Sequence, residues 1–107
     1  MALLDCYPVT EGHTLVIPQA HVGSIFELPE VEQDELWRLV SRVRERLTRE
    51  RSPAGFTIGV NDGEAAGQTV AHAHIHVIPR FKGDTPDPRG GIRWVLPKDA
   101  AYWRETK

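Results

Sequence analysis

The nine residues from Val70 to Ile78 contain three histidines at alternate positions, 72, 74 and 76, and this alternation constrains the chain more than any other feature. Successive side chains of a β-strand point to opposite faces of a sheet. The pattern therefore predicts a strand with His72, His74 and His76 on one face and small or apolar residues on the other. We expect the apolar face to pack inward, because imidazoles bring polar nitrogens that need partners when buried.

The residues alone leave three interpretations of the histidine face open. The first is a solvent-facing strand without a special function. The second is a zinc site, since His-x-His on a strand brings two ring nitrogens together and His13 or Asp62 would add a third ligand. The third, which we favour, is catalysis on a phosphate or acyl group, because imidazole is both a nucleophile and a proton carrier near neutral pH. The spacing itself does not separate the second from the third.

A loop rich in glycine and amide groups precedes the histidine segment. It contains Gly63 and Gly67, which allow backbone N–H groups to approach an anion closely. Asn61, Gln68 and Thr69 add polar side chains to the same loop. We interpret the loop as a phosphate-binding element, although a plain hairpin loop would have similar residues. The chain contains no Gly-x-x-x-x-Gly-Lys-Ser/Thr stretch, which excludes a nucleoside triphosphatase of the P-loop (Walker) type.

The remaining pattern predicts a single α+β domain over residues 1–107. Apolar residues at spacings of three and four predict a helix from about Glu30 to Glu50. Runs rich in β-branched residues predict strands at Thr14–Ile17 and Phe56–Val60, with a further strand at Ile92–Leu96. His21 follows the first of these strands, and we interpret it as a surface residue.

Composition excludes several classes of protein. Lys and Arg number 13 against 15 Asp and Glu, a formal charge of −2, which argues against a general nucleic-acid polymer as partner. The single cysteine, Cys6, cannot form an intramolecular disulfide, which favours a reducing compartment. No apolar run approaches the roughly 20 residues that span a bilayer. We therefore expect a cytoplasmic protein that does not bind membranes.

Three separate motifs resemble those of the histidine triad (HIT) superfamily of nucleotide hydrolases and transferases. They are the Gly-His-Thr-Leu-Val-Ile-Pro run ending at Pro18, the loop Asn61-Asp-Gly with Ala66-Gly-Gln-Thr-Val70, and His72-x-His-x-His76 followed by Val-Ile-Pro-Arg80. Together they cover most of residues 3–82. The tail from Gly83 to Val95 resembles bacterial members of the fragile-histidine-triad branch, which split dinucleoside polyphosphates.

The resemblance implies a role for each matching histidine. His74 would be the nucleophile that attacks the α-phosphorus, giving a nucleotidyl-histidine that water then hydrolyses. His76 would hold phosphate oxygens and assist the leaving group, while His72 and His13 would lie behind and orient the nucleophile by hydrogen bonds. Attack needs a neutral ring, so activity is expected to fall in acid. The substrate-binding positions implied are Asp5 near the ribose and, near the phosphates, Asn61, Gly67, Gln68 and Thr69.

The resemblance also implies an architecture and a set of partners. The fold would be an antiparallel sheet with one long helix on one face, and the sheet would continue across a homodimer. The protein itself would hold no metal or cofactor, with Mg²⁺ accompanying the substrate. Relatives carry a further strand before the position of Ala2, so we expect that strand to be missing and the base pocket to differ. Two alternatives remain: a nucleoside phosphoramidate hydrolase, and a nucleotide-binding module with weak catalysis.

Overall fold

The computed structural model describes residues 1–104. It confirms an α+β fold with an antiparallel sheet and one long helix on one face. The sheet has the order β1-β2-β4-β3, and every neighbouring pair is antiparallel. Its strands and the helix α1 have these bounds: β1 Ala2–Leu4, β2 Thr14–Val16, α1 Glu30–Arg51, β3 Gly55–Gly59 and β4 Ile75–Arg80.

The helix α1 buries one apolar stripe against the sheet, as its spacing predicts. Ser52 ends the helix in a left-handed conformation with φ 48°. The stripe faces fully buried side chains of the two central strands, β2 and β4. Burying one such aliphatic side chain contributes about 1.5–3 kcal/mol, so this layer supplies most of the stability that holds the site in place. The stripe and its partners are Leu36, Val40, Val43 and Leu47 on the helix, and Val16, Ile75 and Val77 on the sheet.

The expectation of a strand over residues 70–78 is wrong at both ends. The regular strand begins at Ile75, because the pairing with β2 stops where Val16 lies opposite Ile75. At the other end it passes through Pro79 to Arg80, paired with β3. Proline is tolerated there because its nitrogen and its carbonyl point to the same side, past the end of β2, where no ladder bond needs an N–H from residue 79. The Pro79 carbonyl accepts the Thr10 hydroxyl there at 2.7 Å.

The alternation of burial nevertheless extends beyond the regular strand. Ala73 is buried like Ile75 and Val77, whereas the three histidines between and beside them are half-buried on the opposite side. The predicted division into an apolar face and a histidine face is therefore correct. It does not require residues 72–74 to be part of a ladder.

The segment after β4 differs from its predicted structure. Residues 92–96 do not form a strand, because Gly91–Val95 is a 3-10 turn preceded by Gly90 with φ 91°. A Cβ at Gly90 would lie 2.9 Å from the Trp103 ring, so only glycine fits. The Trp94 indole N–H donates to the Arg89 carbonyl at 2.7 Å and closes this turn. Over residues 1–104, none of the helices combines the length and the apolar character needed to cross a bilayer.

Candidate active site

The histidine face lines a cleft of about 580 Å³. Its wall contains His72, His74 and His76. The same wall includes all the predicted substrate-binding residues: Asp5, Asn61, Gly67, Gln68 and Thr69. His13 is the one predicted site residue that does not line the cleft; it is buried behind it with 3% of its surface exposed. The structure thus brings together residues from four separate parts of the sequence.

His74 has a defined pattern of ring protons. Its Nδ1 lies 2.9 Å from the backbone carbonyl of His72. A carbonyl oxygen only accepts hydrogen bonds, so Nδ1 carries the proton and donates it. A neutral imidazole has one protonated nitrogen and one with a lone pair. The lone pair of His74 is therefore on Nε2.

A hydrogen-bond chain behind the cleft fixes the proton of His76 on Nε2, the nitrogen that carries no proton in His74. The backbone N–H of Val9 donates to His13 Nδ1 at 3.2 Å. Neutral His13 therefore carries its proton on Nε2, which lies 2.9 Å from His76 Nδ1 and donates to it. Because Nδ1 of His76 accepts, its own proton is on Nε2. The site thus pairs a bare nitrogen on His74 with an N–H donor on His76.

The electrostatics of this chain keep both rings neutral. Burial lowers the pKa of His13, and the carboxylate of Asp5, whose Oδ2 is 3.5 Å from Nε2, partly opposes that effect. Burial also lowers the pKa of His76, with the neighbouring His74 and His13 acting in the same direction and Asp5 against them. Near pH 7 both rings are therefore uncharged, in agreement with the proton positions that the hydrogen bonds require.

The turn that delivers His13 is fixed by local contacts. Gly12 has φ 95°, and a Cβ there would lie 2.7 Å from Cδ of Arg51 at the end of α1. The Arg51 guanidinium also pairs with Glu11 at 3.0 Å. The Thr14 hydroxyl donates to the Gly12 carbonyl at 2.8 Å. The end of the long helix therefore determines where His13 can lie.

Two of the contacts expected for His74 are different in the structure. His13 contacts His76 rather than His74. The reason is that His13 is buried behind β4, and His76 is the histidine that lies within this paired strand. His72 orients His74 through its backbone carbonyl and not through its ring. The His72 ring instead contacts the Pro18 carbonyl at 3.0 Å and the ring of His21 at 3.1 Å. Sequence reasoning places His21 on the surface, where the structure has it, but does not predict its contact with His72.

Gln68 also differs from its expected role. Its side-chain oxygen accepts the Gly63 N–H at 2.9 Å, and its amide nitrogen donates to the carbonyls of Gly23 at 2.8 Å and Val70 at 3.0 Å. With these three bonds made, the Gln68 side chain holds the loop closed and has no free N–H for a phosphate. Gly67, with φ 92°, allows the sharp turn that this closure requires.

The backbone beside the loop offers the donors that the Gln68 side chain does not. Within residues 1–104, the N–H groups of the four residues 69–72 donate to no other residue. Thr69, Val70 and His72 of this run line the cleft. Unpaired N–H groups that a turn of the backbone points to one side bind anions. The arrangement suits an anionic group placed next to His74.

Comparison with known proteins agrees with this chemistry. The HIT domain profile matches residues 1–83. The chain belongs to the HIT family. The match includes β1 to β4 and the whole cleft, while the turns after Gly83 lie outside it.

Named HIT relatives act on dinucleoside polyphosphates. The chain is 40% identical over 83 residues to the bis(5'-nucleosyl)-tetraphosphatase of Schizosaccharomyces pombe, covering 78% of this chain and 46% of that protein. It is also 40% identical over 83 residues to the bis(5'-adenosyl)-triphosphatase of Dictyostelium discoideum, covering 78% and 56%. The crystal structure of Caenorhabditis elegans NitFhit superposes with a TM-score of 0.76 and 35% identity over 96% of this chain and 24% of that one. The chain spans about half the length of the two curated relatives.

The donor geometry of this HIT domain also bears on metal binding. Asp5, His13 and His76 place one ligand atom each within 4.8 Å of one another. A metal-bound imidazole keeps a proton on its other nitrogen and donates it to an acceptor. In His13 that other nitrogen faces the Val9 N–H, which is a donor. The residues therefore fit a hydrogen-bond chain better than a metal centre.

Proposed function

We propose that this HIT domain hydrolyses dinucleoside polyphosphates at the α-phosphate through a nucleotidyl-His74 intermediate. The observation that carries the proposal is the bond from His74 Nδ1–H to the His72 carbonyl, which leaves Nε2 with a lone pair in a cleft lined by anion-binding groups. The names of two relatives, a nucleosyl-tetraphosphatase and an adenosyl-triphosphatase, support this substrate class.

In the first step, the Nε2 lone pair of His74 attacks the α-phosphorus. An N–P bond forms, the bridging P–O bond breaks, and its electron pair leaves on the terminal phosphate of the departing nucleotide. The Nδ1 proton remains shared with the His72 carbonyl, which spreads the positive charge that the ring acquires. In the second step, water attacks the same phosphorus and the N–P electron pair returns to Nε2. One proton of the water stays on the nucleoside monophosphate and the other passes to solvent.

His76 assists both steps as a hydrogen-bond donor. Its Nδ1 is already engaged by His13, so a neutral ring presents only Nε2–H to the cleft. A preorganised donor stabilises the charge that develops on phosphate oxygens, and losing one such donor costs about 10²–10³-fold in rate. His76 therefore holds the phosphate and eases departure of the leaving group without giving up its proton.

The loop supplies the remaining contacts to the phosphates. The phosphates would accept hydrogen bonds from the N–H groups of Thr69, Val70 and His72 and from the Thr69 hydroxyl, since these residues line the cleft together with Asn61. Gly67 and Gln68 act by shaping this loop. Asp5 follows β1 at the edge of the cleft, where its carboxylate suits the ribose hydroxyls. Mg²⁺ would accompany the polyphosphate as part of the substrate.

We also propose that the protein is a cytoplasmic homodimer. The strand β3 forms one edge of the sheet, and an edge strand presents unpaired N–H and C=O groups that suit pairing with another strand. Pairing between two copies of β3 would continue the sheet, with α1 of each copy on the same face. Sedimentation of the purified protein tests this, since a monomer at all concentrations would contradict it.

Substitution of the nucleophile tests the reaction. We expect His74→Ala to reduce turnover of diadenosine tetraphosphate by about 10³-fold or more, while binding of AMP stays within a few-fold. A labelled substrate and rapid quenching should trap nucleotidyl-protein in the wild type and none in the variant. Glu27→Leu, a change at an exposed residue outside the cleft, serves as control. Full activity of His74→Ala would contradict the assignment.

A nucleoside phosphoramidate assayed in parallel would identify a phosphoramidase by faster turnover, and AMP binding without any turnover would identify a binding module.

A further inference from the structure

Within residues 1–104 no strand pairs with residues 72–74, and the segment 18–23 takes the place of one. The Ala73 N–H donates to the Val22 carbonyl at 2.8 Å. The Gln68 amide donates to the Gly23 carbonyl at 2.8 Å. The His72 ring contacts the same segment at the Pro18 carbonyl. The position of the His72 backbone, and hence of the carbonyl that holds His74, depends on these contacts with residues 18–23.

The ring of His72 is held at both nitrogens. Its Nε2 lies 3.0 Å from the Pro18 carbonyl, which can only accept, so Nε2 carries the proton. The Nδ1 of a neutral His72 therefore has a lone pair. It lies 3.1 Å from Nδ1 of His21, so the proton between them belongs to His21. The two rings are perpendicular, with centroids 4.8 Å apart, which suits a bond directed at the edge of the His72 ring.

We infer that His21 is a positioning residue for the reaction proposed above, on which this inference rests. His21 donates to the His72 ring, the ring fixes the His72 backbone, and the His72 carbonyl keeps the proton of His74 on Nδ1. His21 does not line the cleft. Its effect is therefore on the chemical step and not on substrate binding.

Two substitutions at this exposed position separate the hydrogen bond from the bulk of the ring. Leucine removes the donor, whereas asparagine keeps an amide nitrogen near the place of Nδ1. We expect His21→Leu to lower kcat for diadenosine tetraphosphate about tenfold with KM unchanged, which is what the loss of one net hydrogen bond gives. We expect His21→Asn to stay within about twofold of the wild type. Glu27→Leu is the matched polar-to-leucine control at another exposed position outside the cleft.

The ring protons provide a readout that needs no turnover. Spectra of ¹⁵N-histidine-labelled protein without substrate, at about pH 8 so that ordinary histidines are neutral, distinguish a protonated ring nitrogen from a bare one. The wild type and His21→Asn should show His74 protonated on Nδ1 alone. His21→Leu should show His74 with its proton divided between both nitrogens. This result would stand even if the protein cleaved a different substrate.

The inference is overturned by any of three results. The first is a His74 spectrum in His21→Leu that matches the wild type. The second is an equal loss of kcat in the leucine and asparagine variants, which would point to bulk alone. The third is a change in KM with kcat unchanged, which would place His21 in substrate binding.

Discussion

The two halves of the histidine segment are held in different ways. From Ile75 onward, β4 lies between β2 and β3, and His76 sits opposite Leu15 on one side and Gly59 on the other. Residues 72–74 lie before this ladder and are held by ring and amide contacts to residues 18–23. His76 is thus fixed by the sheet, whereas His74, the proposed nucleophile, is fixed by a local network.

This difference separates the contacts that stabilise the fold from the contacts that adjust the chemistry of the site. Ladder bonds and the apolar layer beneath them are shared with the core, so changes there reach the whole molecule. The contacts of residues 72–74 are few and near the surface, so changes there should act on the site with little effect on stability. Three predictions test this division.

The largest expected effect is on stability, at a pair of apolar residues five positions apart. Ile75 is fully buried in the ladder, whereas Val70 is 57% exposed before it. Ile75→Ala should lower the free energy of unfolding by about 2–5 kcal/mol, because it leaves a cavity under α1. Val70→Ala should change it by less than about 0.5 kcal/mol. Urea unfolding followed by tryptophan fluorescence measures both, and equal losses would refute the division.

The second largest effect is expected on catalysis, through the part of the histidine segment that begins at Ile75. His13→Ala removes the donor to His76 Nδ1 and leaves the Val9 N–H without its acceptor. The proton of His76 is then no longer confined to Nε2, and we expect kcat to fall by about 10–100-fold. His13→Gln, whose amide nitrogen reaches the place of Nε2, should lose less. Steady-state kinetics on folded protein tests this; equal kcat in the alanine variant and the wild type would show that His13 does not act through His76.

The smallest effect is a pH dependence of stability. Burial lowers the pKa of His13 and His76 below the ordinary value of about 6.5, so below that pH the unfolded chain binds more protons than the folded one. The free energy of unfolding should therefore decrease as the pH falls below about 6.5 and change little above it. Denaturant unfolding across this range measures the slope. His13→Gln should flatten it, and an unchanged slope in that variant would exclude His13 as a source.

The sequence predicted the framework well, because it depends on periodicity. The spacing of Leu36, Leu39, Val40, Val43 and Leu47 predicts the apolar helix stripe, which is buried except for the half-buried Leu39. The alternation around His74 predicts the two faces of the segment. The extent of β4 was not predictable, since a strand ends where its neighbours end, and β2 is short. The supposed strand at residues 92–96 failed because the conformation of Gly90 and its contact with Trp103 decide the turn.

The site was predictable as a set of residues and less so as a set of contacts. Eight of the nine predicted site residues line one cleft, and the ninth, His13, lies directly behind it. The partners of His13, His72 and Gln68 involve residues up to 63 positions away, and no local pattern specifies which nitrogen faces which group. His21 illustrates this, because only the folded chain brings it to His72. Which residues act in the reaction remains a prediction.

The bond from the Val9 amide to His13 has one more consequence. A peptide N–H does not titrate in the physiological range, so the first donor of this chain always points the same way. Each imidazole after it is polarised alike, and the Nε2–H of His76 is in place without any ligand. In the proposed reaction, folding itself would therefore set the direction of the dipoles that receive the substrate, and no proton would have to move inside the protein when charge builds up on the phosphate.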